Sequence, residues 1–253
     1  MLHRAAYAAL DLDWSYDAIE MTPDRLPAFM SECDWPEWAG LSLTMPLKTD
    51  VLPLLVDYSD LAGQVGAANT VVFTETGPIG ANTDVAGMRR ALMEAAGGPV
   101  RPITGVVIGS GATARSALAA LAGMGAARIR VIARSPERAA ALDGLAADLG
   151  VELEHAAWAT EVDLAADAVI ATVPPGAADA LALSVPEVPG ALLDVAYGAG
   201  PTPLAQAWAR RGGAVADGLD LLLWQAVDQV HLMTGLEAPV EAMRAALTRE
   251  TRR

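Results

Sequence analysis

Short runs rich in Val and Ile alternate along the chain with longer alanine-rich stretches of helical period, the pattern of an α/β protein assembled from βαβ units. In the first third, SYDAIEM (Ser15 to Met21) predicts a strand. Thr22 then stands as an N-cap before Pro23 at the first helical position, opening a helix to about Cys33. GLSLTM (Gly40 to Met45) predicts the next strand. NTVVF (Asn69 to Phe73) and PIGANT (Pro78 to Thr83) predict a hairpin-like pair around Glu75 to Gly77, followed by a helix from Asp84 towards Ala96.

Breakers then concentrate in Gly97-Gly98-Pro99-Val100-Arg101-Pro102, a candidate boundary region. Beyond it, GVVIG (Gly105 to Gly109), a helix from about Ala112 to Ala122, RIRVIA (Arg128 to Ala133) and a helix from Pro136 to Leu149 form a βαβα unit. AVIATV (Ala168 to Val173), ALLDVAY (Ala191 to Tyr197) and AVADG (Ala214 to Gly218) predict further strands at spacings that suit parallel crossovers. Two helices, from Leu219 to Gly235 and from Ala238 to Thr248, close the pattern.

Composition bounds what such a fold can serve. The 253 residues carry 17 basic and 31 acidic side chains, a formal net charge of −14. That balance opposes binding to nucleic acid or an anionic membrane surface and leaves a small molecule or another protein as partner. Hydrophobic residues are 53% of the chain, which excludes a disordered protein and supplies one large core or two moderate ones. Mean hydropathy is +0.32, yet no stretch approaches the ~20 uninterrupted apolar residues of a spanning helix. Asp11 and Asp13 interrupt the region where a secretory leader would stay apolar, and Cys33 is the only cysteine, so no internal disulfide can form and a cytoplasmic location is expected. His3, His155 and His231 do not cluster in the sequence, so no metal site is expected.

Gly109-Ser110-Gly111-Ala112-Thr113-Ala114 lies between an apolar strand and a helix. The first glycine can make the tight turn, and the second lets the backbone approach a pyrophosphate at the helix N-terminus, with alanine where a third glycine is usual. An ordinary strand-to-helix turn is the plain alternative, but the setting inside a βαβ unit favours a dinucleotide. The next strand ends in Arg134-Ser135-Pro136-Glu137-Arg138 rather than in the Asp or Glu that holds an NAD ribose. Two guanidinium groups beside a serine hydroxyl suit a 2′-phosphate and predict NADP; the alternative is a pair of solvated surface arginines.

Of the 17 basic side chains, 16 are arginine and one is Lys48. A guanidinium cannot exchange a proton near neutral pH and an amine can, so a sole lysine in an arginine-only chain is a candidate acid/base. Asn82-Thr83-Asp84 offers it a carboxylate at a strand-to-helix junction. Asp84 would also serve as the N-cap of the helix that follows, and the two roles are compatible.

Five segments in order make the chain resemble the shikimate dehydrogenase family over essentially its whole length: Leu43 to Lys48 (LTMPLK), Gly66 to Val71 (GAANTV), Gly80 to Asp84 (GANTD), the glycine loop with Arg134-Ser135, and Gly218 to Ala226 (GLDLLLWQA). The resemblance implies two domains: an α/β substrate-binding domain over 1–83, completed by 219–253, and a Rossmann-type NADP-binding domain over 84–218, with the cleft between them. It implies reversible NADPH-dependent reduction of 3-dehydroshikimate in aromatic amino-acid biosynthesis. Lys48 and Asp84 would be the catalytic pair, with Ser42, Thr44, Asn69, Asp84, Tyr197 and Gln225 around the substrate. Gly109, Ser110, Gly111, Ala112, Thr113, Arg134, Ser135 and Arg138 would hold NADP, and Thr172, Val195 and Gly218 would lie near the nicotinamide. Asn69 as a turn residue, Tyr197 as a strand residue and Gln225 as a solvated helix position are the plain alternatives.

The chain departs from the family in two places. Met1-Leu2-His3-Arg4 matches the tail of a Ser-x-Ser-Pro-x-x-His-Asn signature, with arginine for asparagine, so the family's first strand and its two carboxylate-binding serines would fall before Met1. Each hydrogen bond lost to a carboxylate would weaken binding by roughly 1.5–3 kcal/mol, and the expectation is a true start further upstream. Ser42 stands where the family usually has asparagine. Quinate or an aminated analogue therefore stays open as substrate, an idle NADP-binding homologue stays open as a different class, and the assembly is expected to be a monomer or homodimer.

Overall fold

A computed structural model describes residues 1–198 and 200–250. They form two compact units, one of residues 1–84 with 222–250 and one of residues 85–198 with 200–221. The first begins with α1 (Leu2–Ala9), α2 (Leu26–Ser31), β1 (Gly40–Ser42), α3 (Leu47–Asp50), β2 (Asp57–Tyr58), α4 (Asp60–Val65), β3 (Thr70–Thr74) and β4 (Gly77–Ala81). Its sheet runs β1-β3-β4-β2. β3 and β4 make the expected antiparallel hairpin, closing at Thr74 opposite Gly77, while β1 pairs antiparallel with β3 and β2 parallel with β4. Leu26, Leu47, Val51, Val71 and Phe73 are buried in its core, and burial of a side chain of this size contributes about 1.5–3 kcal/mol.

Three local expectations are corrected here. Ser15 to Met21 form no strand. Strand backbone needs a ladder partner for its N–H and C=O groups, and β1 pairs only with β3, so this largely exposed segment has no ladder, and the Tyr16 carbonyl accepts from Arg4 Nε at 2.8 Å instead. The helix expected from Pro23 starts instead at Leu26, because the Thr22 carbonyl accepts from both Arg25 and Leu26 N–H in a preceding turn. Pro27 then sits in the first helical turn, where a missing N–H is harmless. The strand expected to Met45 ends at Ser42; one more bond, Leu43 N–H to the Asn69 carbonyl, follows before Pro46, which has no donor to offer a ladder.

α5 (Asp84–Ala95) carries the chain into the second unit, where the Gly97–Pro102 segment joins it to β5 (Thr104–Ile108). Then come α6 (Ala112–Met124), β6 (Arg128–Ala133), α7 (Pro136–Ala140), α8 (Asp143–Leu149), β7 (Glu152–Ala157), β8 (Ala168–Ala171), β9 (Ala191–Asp194), α9 (Pro203–Arg210) and β10 (Ala214–Asp217). The six strands are all parallel in the order β10-β9-β8-β5-β6-β7. All four residues of β8 and of β9 are buried, as a sheet covered on both faces requires. The helix expected over 136–149 is broken at Ala141-Leu142. β9 stops at Asp194, short of the expected Tyr197, because the Asp194 carboxylate bends the chain by accepting from Ala196 N–H and Thr202 Oγ1.

α10 (Gly218–Thr234) starts in the second unit and from Leu222 onward belongs to the first, as does α11 (Val240–Glu250), which packs against α1. No helix among the described residues is long and apolar enough to cross a membrane.

Candidate active site

In the first unit, Leu47 and Val51 anchor α3 in the core, and the Lys48 carbonyl accepts from Ala68 N–H at 2.8 Å. These ties leave the Lys48 side chain one direction, towards the start of α5. There Nζ meets Asp84 Oδ2 at 2.6 Å, with the two side chains only 12% and 3% exposed. Asp84 lies in the first helical turn, where the positive end of the helix dipole favours a negative charge. An ion pair taken out of water this far stands only if its remaining valences are met.

Asn69 meets them. The Thr83 backbone N–H can only donate, and it reaches Asn69 Oδ1 at 2.8 Å, which sets the orientation of that amide. Nδ2 therefore faces Asp84 Oδ1, Thr83 Oγ1 and Gln225 Oε1, each at 2.9 Å. Two amide hydrogens among three acceptors leave capacity for exchange when a ligand hydroxyl enters. Asn82 secures the turn before Asp84 by donating to the Ala67 carbonyl. Asn69, Thr83, Asp84 and Asn82 are all buried, and Lys48 Nζ makes no hydrogen bond beyond the one to Asp84 among the described residues.

Lys48, Asp84, Asn69 and Gln225 thus come together in one network. Ser42, at the end of β1, joins it through a residue not foreseen: its Oγ hydrogen-bonds Gln229 Oε1 at 2.9 Å. Gln229 Nε2 lies 3.2 Å from Thr70 Oγ1, which donates to Asn69 Oδ1. The signal available for Gln229 was its place one turn beyond Gln225 on an apolar helix. Thr44 is exposed, and with Ser42 and Tyr16 it lines a cavity of about 710 Å³ whose walls also include Tyr7, Trp14 and Trp38. Tyr197 is in the second unit, after β9, and is 56% exposed.

The second unit places the nucleotide candidates where its strand order reverses: β6 and β7 lie on one side of β5, and β8, β9 and β10 on the other. The carboxyl ends of β5 and β8 flank such a switch point, the usual place for a dinucleotide. Gly109 follows β5 with φ of 115°, and a Cβ there would stand 2.5 Å from Thr172 Oγ1. Thr172, after β8, is fixed by donating to the Ile108 carbonyl. Gly111 caps α6, and a Cβ there would meet nothing within 4 Å, so open space lies before the N-terminal N–H groups of a 13-residue helix. Ser110, Ala112 and Thr113 complete this turn.

Arg134 and Arg138 are exposed at the end of β6 and in α7, with the Arg134 guanidinium 5.9 Å from the Trp158 ring centre. The Ser135 hydroxyl accepts from Arg138 N–H and donates to Glu137 Oε2 at 2.7 Å, which holds the Glu137 carboxyl below its ordinary range. Gly218 is required as glycine, since a Cβ would run into the Val195 carbonyl. The open glycine turn, the helix terminus and two exposed guanidinium groups fit a dinucleotide with a 2′-phosphate. No group of three or more His, Cys, Asp or Glu that could hold a metal ion occurs among the described residues.

Comparison with known proteins gives the following. The family model of the shikimate dehydrogenase substrate binding domain matches residues 1–71, and that of the shikimate 5'-dehydrogenase C-terminal domain matches 218–248. A model described as NADP oxidoreductase coenzyme F420-dependent matches 105–196. The shikimate dehydrogenase (NADP(+)) of Halobacterium salinarum is 37% identical over 252 residues, covering 97% of this chain and 92% of that protein. Among solved structures, Mycobacterium tuberculosis shikimate dehydrogenase aligns with TM-score 0.86 at 39% identity, over 98% of this chain and 93% of that one. The Thermus thermophilus shikimate 5-dehydrogenase in complex with NADP(H) and shikimate aligns with TM-score 0.84 at 31% identity, over 98% and 92%.

Proposed function

The chain belongs to the shikimate dehydrogenase family, and on that premise we propose that it catalyses the reversible reduction of 3-dehydroshikimate to shikimate with NADPH, in aromatic amino-acid biosynthesis. The observation that carries the reading is the buried 2.6 Å pair of Lys48 and Asp84, the chain's one amine set against a carboxylate. Residues 1–83 with 219–253 bind the substrate, and 84–218 bind NADP.

In the reducing direction the Lys48 ammonium donates a proton to the C3 oxygen as charge develops there, and in the oxidising direction the amine takes it back. Asp84 holds Nζ in place. Asn69 keeps the Asp84 carboxylate oriented, and with Thr44, Ser42 and Gln225 binds the ring hydroxyls, while Tyr197 approaches the carboxylate. Bound NADPH supplies the hydride to C3. The glycine turn at Gly109 to Thr113 receives its pyrophosphate, Arg134, Ser135 and Arg138 its 2′-phosphate, and Thr172, Val195 and Gly218 line the nicotinamide end.

The test is reduction of NADP by the purified protein with shikimate, beside quinate and beside NAD. Turnover with shikimate and NADP well above the other combinations is the expected result. Turnover confined to quinate or NAD changes the substrate or cofactor assignment, and NADP binding without turnover identifies an idle homologue.

A further inference from the structure

Gln229 is 1% exposed on α10, and its hydrogen bonds go to Ser42, Thr70 and the Asn69 carbonyl. Its amide orientation can nevertheless be fixed. Nε2 lies 3.5 Å from the Asn69 carbonyl, which can only accept, and 3.2 Å from Thr70 Oγ1, whose own proton goes to Asn69 Oδ1 at 2.9 Å. Both neighbours call for a donor, so the nitrogen faces them and Oε1 faces Ser42. An amide oxygen can only accept, so the 2.9 Å bond from Ser42 Oγ consumes the single proton of that hydroxyl.

We infer that Gln229 is a positioning residue that locks Ser42 as a hydrogen-bond acceptor, so that this wall of the site selects a ligand group that donates, an alcohol hydroxyl, over a keto oxygen or another acceptor. Ser42 lines the 710 Å³ cavity with Thr44 and Tyr16, so its free lone pair has ligand-accessible space before it. The Tyr16 phenol lines the same cavity beside Ser42. The inference deepens the proposed function and rests on its placing Ser42 beside the ring hydroxyls. Polarity at Ser42 is thus set from the far side of the network, through a helix residue that never touches substrate.

Ring analogues of shikimate with the C4 or C5 hydroxyl replaced by fluorine test this, since fluorine keeps the size and loses the donor. In the wild-type enzyme one of the two replacements lowers kcat/KM tenfold or more. In Gln229→Met the Ser42 hydroxyl is free to turn and donate, and that ratio falls below threefold while KM for NADP stays within twofold, a change that loss of general packing would not produce. A wild-type ratio kept by Gln229→Met overturns the inference. Should that variant fail to fold, the wild type and Ser42→Ala decide: tenfold or more in the first with under threefold in the second supports it, and any other pair of values overturns it. A wild-type protein that oxidises shikimate without such discrimination loses this inference alone, whereas one that oxidises no shikimate at all loses the functional reading first.

Discussion

Lys48 and an arginine in its place would carry the same charge beside Asp84, and only the amine can exchange a proton, so Lys48→Arg separates charge from acid/base chemistry. General acid–base assistance contributes about 10²–10⁴-fold, and kcat for shikimate oxidation is expected to fall by at least about 100-fold with KM for NADP little changed. Near-normal turnover would remove Lys48 from the proton-transfer role. Composition made this residue legible, because a chain that uses arginine at its 16 other basic positions marks its one lysine, and Asp84 was legible as the carboxylate at a strand-to-helix junction. Thr70 and Gln229 were not. Their partners lie 159 positions apart in sequence, and a threonine in a strand or a glutamine in a helix carries no local mark of the contact it will make. Ser135 shows the converse: the oxygen expected to meet a phosphate also accepts from Arg138 N–H, and sequence alone could not show that Glu137 takes its proton.

At the level of elements, the two glycines of the nucleotide turn do different work, and their alanine variants should part company. Gly109→Ala puts a methyl group 2.5 Å from Thr172 Oγ1 on backbone with φ of 115°, a strain of about 1–3 kcal/mol. Gly111→Ala meets nothing within 4 Å. Thermal melts should show Gly109→Ala destabilised and Gly111→Ala near wild type, while titration with NADP should show both weakened, the second because its methyl group occupies the space before the α6 N-terminus. Equal losses of Tm in the two variants would contradict this division. The buried strands β5, β8 and β9 were legible because a parallel sheet covered on both faces leaves continuous apolar runs. β7 was not, for at its edge of the sheet the Glu152–Ala157 run is largely exposed and lacks a continuous apolar stretch. Ser15 to Met21 failed in the opposite sense: its strand-like pattern has no ladder neighbour, and pairing, which a pattern cannot supply, decides whether a segment becomes a strand.

Across the whole molecule, mild acid should act on α1 and β9 with opposite sign. In the first, His3 is 6% exposed and stacked on Tyr16 at 4.0 Å, with the Gln229 amide near it, and its Nε2 makes no hydrogen bond of good geometry among the described residues. Burial lowers its pKa from 6.5 to about 4. The unfolded chain takes up this proton below pH 6.5 and the folded one only near pH 4, so stability is lost as pH falls through that window, by up to about 3 kcal/mol. In the second unit burial raises the Asp194 carboxyl above its ordinary value of 3.8. Its contribution is present below the unfolded value and fades as pH rises through the folded one, so protonation of this carboxyl on acidification favours the fold around β9, the opposite of Asp163 and Asp167, whose carboxyls hydrogen bonds hold low. The net charge of −14 changes the background for every variant alike, and the informative quantity is therefore the difference from wild type. Amide exchange between pH 7 and pH 4.5 should show α1 opening more readily as pH falls and β9 less readily, with His3→Phe flattening the first trend and Asp194→Asn the second. If His3→Phe follows the wild-type exchange of α1 across the whole range, the buried imidazole is not what makes the first unit acid-sensitive.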